Sequence, residues 1–151
     1  SICQDRAAGY SHALPAGVKS NIILCCGDEQ ANFQTILNLL RSADRPDGIV
    51  AAAEKIVIQV YLACQQLKLR IPEDVQVIAF STLETAPILN PPLSTIVQPA
   101  FQIGYEAASL LFRCIEKGTD KWQNEKLLLP SAFCERSSTL PLPHKDSVPA
   151  G

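Results

Sequence analysis

The residues best suited to chemistry are six cysteines, at positions 3, 25, 26, 64, 114 and 134, and two histidines, His12 and His144. Zinc binding needs closely spaced Cys and His ligands, usually including a C-x-x-C pair, and no such pair occurs. Cys25 and Cys26 are adjacent in an apolar run, where successive strand side chains point to opposite faces. The cysteines read as small buried hydrophobes of a reducing compartment, with no disulfide framework. Neither histidine has an acidic or cysteine partner at catalytic spacing. No G-x-S-x-G elbow, P-loop or H-E-x-x-H helix occurs. Gly27-Asp28-Glu29 lacks the glycine spacing of a dinucleotide fingerprint, and Trp122 sits in a polar connection suited to surface packing. Neither a metal nor a cofactor is expected.

The chain has 151 residues, 47% of them hydrophobic and 19% charged, a globular composition. Its formal net charge is −2 and its sequence pI about 5.6, which withholds the basic footprint of a domain that grips phosphates. No apolar stretch approaches the roughly 18 residues of a membrane span, and no signal peptide opens the chain. Methionine is absent, even at position 1, so the chain reads as a piece of a longer protein.

The elements that must position any site alternate between helix and strand. Residues 2–14 read as a helix stopped by Pro15-Ala16-Gly17, and 21–26 (NIILCC) as a short buried strand. Phe33, Ile36, Leu37 and Leu40 recur at helical spacing over 29–42. A strand over 49–52, a long helix over 54–67 and a strand over 75–80 follow, with turn chemistry at Arg45-Pro46-Asp47-Gly48. Apolar strands separated by helices predict parallel βαβ units. Beyond Asn90-Pro91-Pro92 come a strand over 93–98, a helix over 100–117 ending at Gly118, and short extended pieces at 126–129 and 132–135. Residues 140–151, with Pro141, Pro143 and Pro149, read as a flexible tail.

Five segments, in order, carry a resemblance. Arg6-Ala7-Ala8-Gly9-Tyr10 resembles an R-x-x-G-[YFW] helix, and Pro46 to Ala52 resembles P-D-A-I-x-A-A. Leu69 to Ile78 (LRIPEDVQVI) resembles L-R-V-P-E-D-V-S-V-I, and Asn90 to Pro99 (NPPLSTIVQP) resembles N-P-P-L-T-T-V-x-Q-P. Leu129-Pro130 through Arg136-Ser137-Ser138-Thr139 resembles a closing L-P…R-x-S-T. Together they resemble the effector-binding core of the LacI/GalR transcriptional regulators, in its carboxy-terminal half. The resemblance implies an α/β fold, a three-layer parallel-sheet lobe of the periplasmic-binding-protein type with a partial second lobe. Residues 1–90 would form the carboxy-terminal effector-binding lobe. Residues 91–118 would cross into the largely missing amino-terminal lobe, and 119–139 would return.

The same resemblance implies an effector held between lobes, at the carboxyl ends of the strands. The Arg of R-x-x-G-Y maps to Arg6, whose planar fork suits hydroxyl or anionic groups. The Asn of A-A-N-D maps to Ala53 and the first Asp of G-F-D-D to Ser81, so two polar anchors are reduced to a methyl and a hydroxyl. The neighbouring Glu54 is expected to cap the helix that it opens. The expected function is effector sensing and dimerisation in a cytoplasmic regulator. Its effector would be a small, carbohydrate-like molecule, and operator DNA would be reached only through a headpiece outside this chain. A periplasmic-type solute-binding protein is the alternative. An α/β enzyme is a third, disfavoured by the lack of a nucleophile–base pair.

Two apolar surfaces need partners. The 54–67 helix has more apolar positions than one stripe requires, which places Ile58 and Leu62 on an outer face, with Leu83 and Leu89 beside them; the resemblance implies that this face is a homodimer interface. Phe101, Tyr105, Ala108, Phe112 and Ile115 form one stripe along the 100–117 helix, implying a packing partner for it.

Overall fold

The computed structural model describes residues 2–18, 20–25, 27–117 and 126–139. Its elements are α1 (Ile2–Ala13), α2 (Glu29–Arg41), β1 (Gly48–Ala51), α3 (Glu54–Leu67) and β2 (Gln76–Phe80), then β3 (Ser94–Val97), α4 (Ala100–Lys117) and β4 (Ala132–Cys134). A single 3-10 turn, Ala86–Ile88, lies between β2 and β3. The sheet order is β1-β2-β3-β4, with the first three strands parallel and β4 antiparallel to β3.

One face of the sheet carries the core. Ala51 of β1 and Val77 and Ala79 of β2 are buried with Ile36, Leu37 and Leu40 of α2 and Val57, Val60, Ala63 and Cys64 of α3. The helical spacing read in the sequence is what aligns these positions. Asp28 caps α2, its carboxylate accepting from the Ala31 N–H at 2.8 Å. Burial pushes the Cys64 thiol up to about 11, so it stays protonated and behaves as a hydrophobe. The opposite face is met by α1, which buries none of its residues. It meets this face through Arg6, over Phe80, and through Tyr10, which lines a shallow depression with Val50 and Ile78. Helix layers thus lie on both faces, as expected of a three-layer lobe.

The closing R-x-S-T segment staples the sheet. Ser138 Oγ donates to the Val77 carbonyl at 2.6 Å and accepts the Ser94 N–H at 2.7 Å, while the Ser138 carbonyl accepts the Val77 N–H at 2.8 Å. Ser138 therefore extends the pairing of β2 beyond the first residue of β3. Arg136 donates to the Leu93 carbonyl and to Thr95 Oγ1, and Ser94 Oγ bonds Arg136 and Thr139.

Several expectations need correction. Residues 20–25 form no strand, and β1 ends the sheet among the described residues. Ile22, Ile23 and Leu24 are exposed, Leu24 at 78%. An apolar run signals a need for burial but does not supply the facing backbone, about 4.8 Å away, that a strand requires. Of the two extended pieces read near the end of the chain, only the second contains a strand of the sheet, β4. β3 is hydrogen-bonded into this sheet, so the chain leaves it only at Gln98-Pro99. Beyond that point the α4 stripe lies where its spacing put it and is exposed, Phe101 at 84%. Leu83 and Leu89, expected beside the outer-face pair Ile58 and Leu62, are half-buried and also pack against the core. The loop after β2 folds back over the core, which the helical count of α3 alone does not reveal. Cys26, Gly118, Trp122, His144 and the 140–151 tail lie outside the described residues.

Replacing Ser138 with Ala should cost about 1–3 kcal/mol in urea unfolding, because the buried Ser94 N–H loses its acceptor. Ser137→Ala, on an exposed neighbour, should stay within about 0.5 kcal/mol.

Candidate functional site

The carboxyl ends of β1, β2 and β3 surround an open concavity of about 230 Å³, lined by Arg6, Ala52, Ala53, Glu54, Phe80, Ser81, Thr82, Ile96 and Gln98. Parallel strands bring their ends to one edge, and each lining residue belongs to a strand end or to the segment just beyond it, apart from Arg6 of α1. Arg6, Ala53 and Ser81, separated by as many as 75 positions in the chain, are thus brought together.

Arg6 is held from three sides. Its Nη1 donates to the Ala52 carbonyl and its Nη2 to Gln98 Oε1 at 2.9 Å, while the guanidinium carbon lies 4.3 Å from the centroid of the Phe80 ring. Two of its five N–H donors are named in these bonds, and the fork is fixed in place facing the concavity.

Glu54 does not cap α3. The N-cap is Ala53, which makes no side-chain bond, and Glu54 reaches instead to the end of β2. Its Oε1 accepts the Thr82 N–H at 2.7 Å, the Ser81 hydroxyl at 3.1 Å and the Thr82 hydroxyl at 3.3 Å. The Thr82 backbone bond leads the causes that hold this carboxyl below its ordinary value of 4.5, against a smaller opposing effect of desolvation. Helix-start chemistry suggested a cap because the distance to β2 is not readable from spacing.

Ser81 is only 5% exposed. Its hydroxyl donates to Glu54 and accepts the Leu83 N–H at 3.0 Å, so its one donor is spent on positioning Glu54. Gln98, Phe80 and Thr82 were missed from sequence. The Gln98-Pro99 pair, part of the recognised crossing motif, was the one signal for the first of them.

The described residues contain no group of three His, Cys, Asp or Glu arranged to hold a metal ion. No described helix is long and apolar enough to cross a membrane.

Residues 3–139 match the family described as the periplasmic binding protein-like domain. The chain is 32% identical over 127 residues to a ribose operon repressor of Haemophilus influenzae, a match covering 82% of this chain and 38% of that protein. It is 36% identical over 109 residues to a lactose operon repressor of Rhizobium radiobacter, covering 72% and 94%. The chain belongs to this family, in its LacI/GalR regulator branch. A solved LacI-family regulator from Enterococcus faecalis V583, with bound ribose, superposes with a TM-score of 0.76 at 29% identity. That superposition covers 93% of this chain and 50% of the neighbour's, so the chain spans about half of a LacI-type core. The relatives named here are transcriptional repressors, not enzymes. They favour the regulator over the transport-protein alternative.

Because the Glu54 pKa is lowered on folding, its bonds stabilise the fold above about pH 4.5 and are lost as pH falls through the lowered value. Thermal unfolding of the wild type and of Glu54→Ala, from about pH 7 to about pH 3, should show the wild-type advantage shrinking below about pH 4.5. A gap that widens on acidification contradicts this sign.

Proposed function

We propose that this chain is the carboxy-terminal effector-sensing half of a LacI-type transcriptional regulator and holds a neutral, carbohydrate-like effector in the Arg6–Glu54–Gln98 concavity. The convergence of a fixed guanidinium, a carboxylate and an amide at the strand ends carries this reading, in a family where a 29%-identical neighbour has bound ribose. Sugar hydroxyls both donate and accept, which such a set of groups matches. In this reading residues 1–90 and the closing segment up to 139 form one lobe, β3 stays paired in its sheet, and the 91–118 segment crosses into a second lobe only beyond Gln98-Pro99. The exposed stripe of α4 supports this division, since Phe101, Phe112 and Ile115 would be covered by that second lobe. Operator DNA is contacted through a headpiece outside these 151 residues, in the cytoplasm, and the net charge of −2 fits a core that does not itself grip DNA.

Calorimetric titration of the full-length protein with D-ribose and lactose should show binding to at least one of them. Arg6→Ala should weaken it by about tenfold or more. The 151-residue chain alone should bind at least about tenfold more weakly, because one wall of the cleft is missing. Absence of heat with either sugar in the full-length protein counts against the reading.

Self-association through the outer face of α3 completes the proposal. Ile58 and Leu62 are 40% and 48% exposed and lie one helical turn apart, an apolar pair that a second copy would cover. Leu62→Glu places an unpaired charge in that interface, so sedimentation should show a dimer converted to a monomer. A wild-type monomer at tens of micromolar removes this part.

A further inference from the structure

The concavity carries its negative charge at an unexpected position. Glu54 opens α3 and Ser81 follows β2, yet Glu54 Oε1 and Ser81 Oγ lie 3.1 Å apart. A carboxylate on residue 81 would therefore crowd the space that the Glu54 carboxylate already occupies, and two ionised carboxylates that close repel. The site has room for one acid, and here α3 supplies it.

We infer that Glu54 is the acidic ligand anchor of this concavity and that, paired against Arg6, it selects a neutral polyhydroxylated ligand over the phosphate ester of the same ligand. The inference rests on the functional reading above and deepens it by naming the residue that anchors the ligand and the charged form that it selects against. Glu54 lines the concavity directly, and the three bonds from Ser81 and Thr82 all fall on Oε1, none of them on Oε2. A carboxylate has about four lone-pair sites, so the anchored group retains acceptor capacity for ligand hydroxyls. Ser81 offers less, since it is only 5% exposed, its one donor goes to Glu54 and one of its two acceptor sites takes the Leu83 N–H. Ala52 and Ala53 add only methyl groups to the wall. The ligand thus meets one fixed anion and one fixed cation, Arg6, with no net charge between them. A hydroxyl bridges such a pair by donating to the anion and accepting from the cation, whereas a phosphate gains from Arg6 and is repelled by Glu54.

The test uses the full-length protein with D-ribose and D-ribose 5-phosphate as probes, measured by calorimetry. The wild type should bind ribose at least about tenfold more tightly than its phosphate ester. Glu54→Gln should weaken ribose about tenfold or more and narrow that preference, since hydrogen bonds to charged groups carry this much. The amide keeps an acceptor for the Thr82 N–H, and thermal melting verifies that the variant is folded. The double variant Glu54→Ala, Ser81→Asp returns a carboxylate to the same space from the other strand end. It should recover ribose binding relative to Glu54→Ala. A folded Glu54→Gln that binds ribose within about twofold of the wild type overturns the inference and leaves the functional reading standing. So does an unchanged preference between the two probes. A wild type that binds neither probe overturns the inference, and one that binds neither of them nor lactose overturns the functional reading as well.

Discussion

Parallel strands that run side by side must finish at the same edge of their sheet, and that edge collects the open ends of every connection that follows them. β2 lies between β1 and β3 in this arrangement, with Val77 and Ala79 fully buried, and so fixes where three chain segments emerge. Ala52-Ala53-Glu54, Ser81-Thr82 and Gln98 are those segments. Their proximity comes from backbone pairing, before any side chain contributes. The side chains then specify the site. Glu54 ties the end of β1 to the end of β2, and Arg6 ties the end of β1 to the end of β3 through the Ala52 carbonyl and Gln98.

The opposite edge is held just as specifically by different chemistry. Ser138 pairs with Val77 through its backbone and side chain, and Arg136 and Thr139 satisfy groups around Ser94. A segment from the end of the chain thereby locks the starts of β2 and β3. The sheet is clamped at both ends, by Ser138, Ser94 and the Arg136 guanidinium at one and by Glu54 and Arg6, each bonded to neutral partners, at the other. The Glu54 and Arg6 end is the half-open one, which suits a site whose groups must keep hydrogen-bonding capacity for a ligand. The hydroxyl end is closed, with Ser138 and Ser94 wholly buried.

The apolar surface left over has a physical logic too. α2 and α3 bury their stripes on the sheet, whereas α4 carries an equally regular stripe that stays exposed in this chain. A helix amphipathic on this scale gains its stability from what it packs on. The 50% coverage of the solved neighbour's chain indicates how much further core such a family member has.

The sequence by itself determined the elements whose signals are local. The periods of α2, α3 and α4 and the apolar strands β1 and β2 are written in residue spacing, because a helix stripe or a buried strand needs one side-chain type at a fixed repeat; the turn read at 45–48 falls instead at 42–45, with Gly48 already in β1. Family motifs added which residues gather, so Arg6, Ala53 and Ser81 were placed at one site and the structure brings them together. Only the tertiary structure decided which apolar runs find a partner. Residues 21–25 and 94–97 both read as short strands in the sequence, yet the first takes no place in the sheet and the second is β3, since a strand depends on a facing backbone elsewhere in the chain. It decided equally that Glu54 spans to β2 instead of capping α3, and that Ser81, which lines the concavity, donates its hydroxyl to Glu54. Both outcomes turn on a 3.1 Å separation between residues 27 apart, and local spacing carries no information about a distance set by the register of two paired strands.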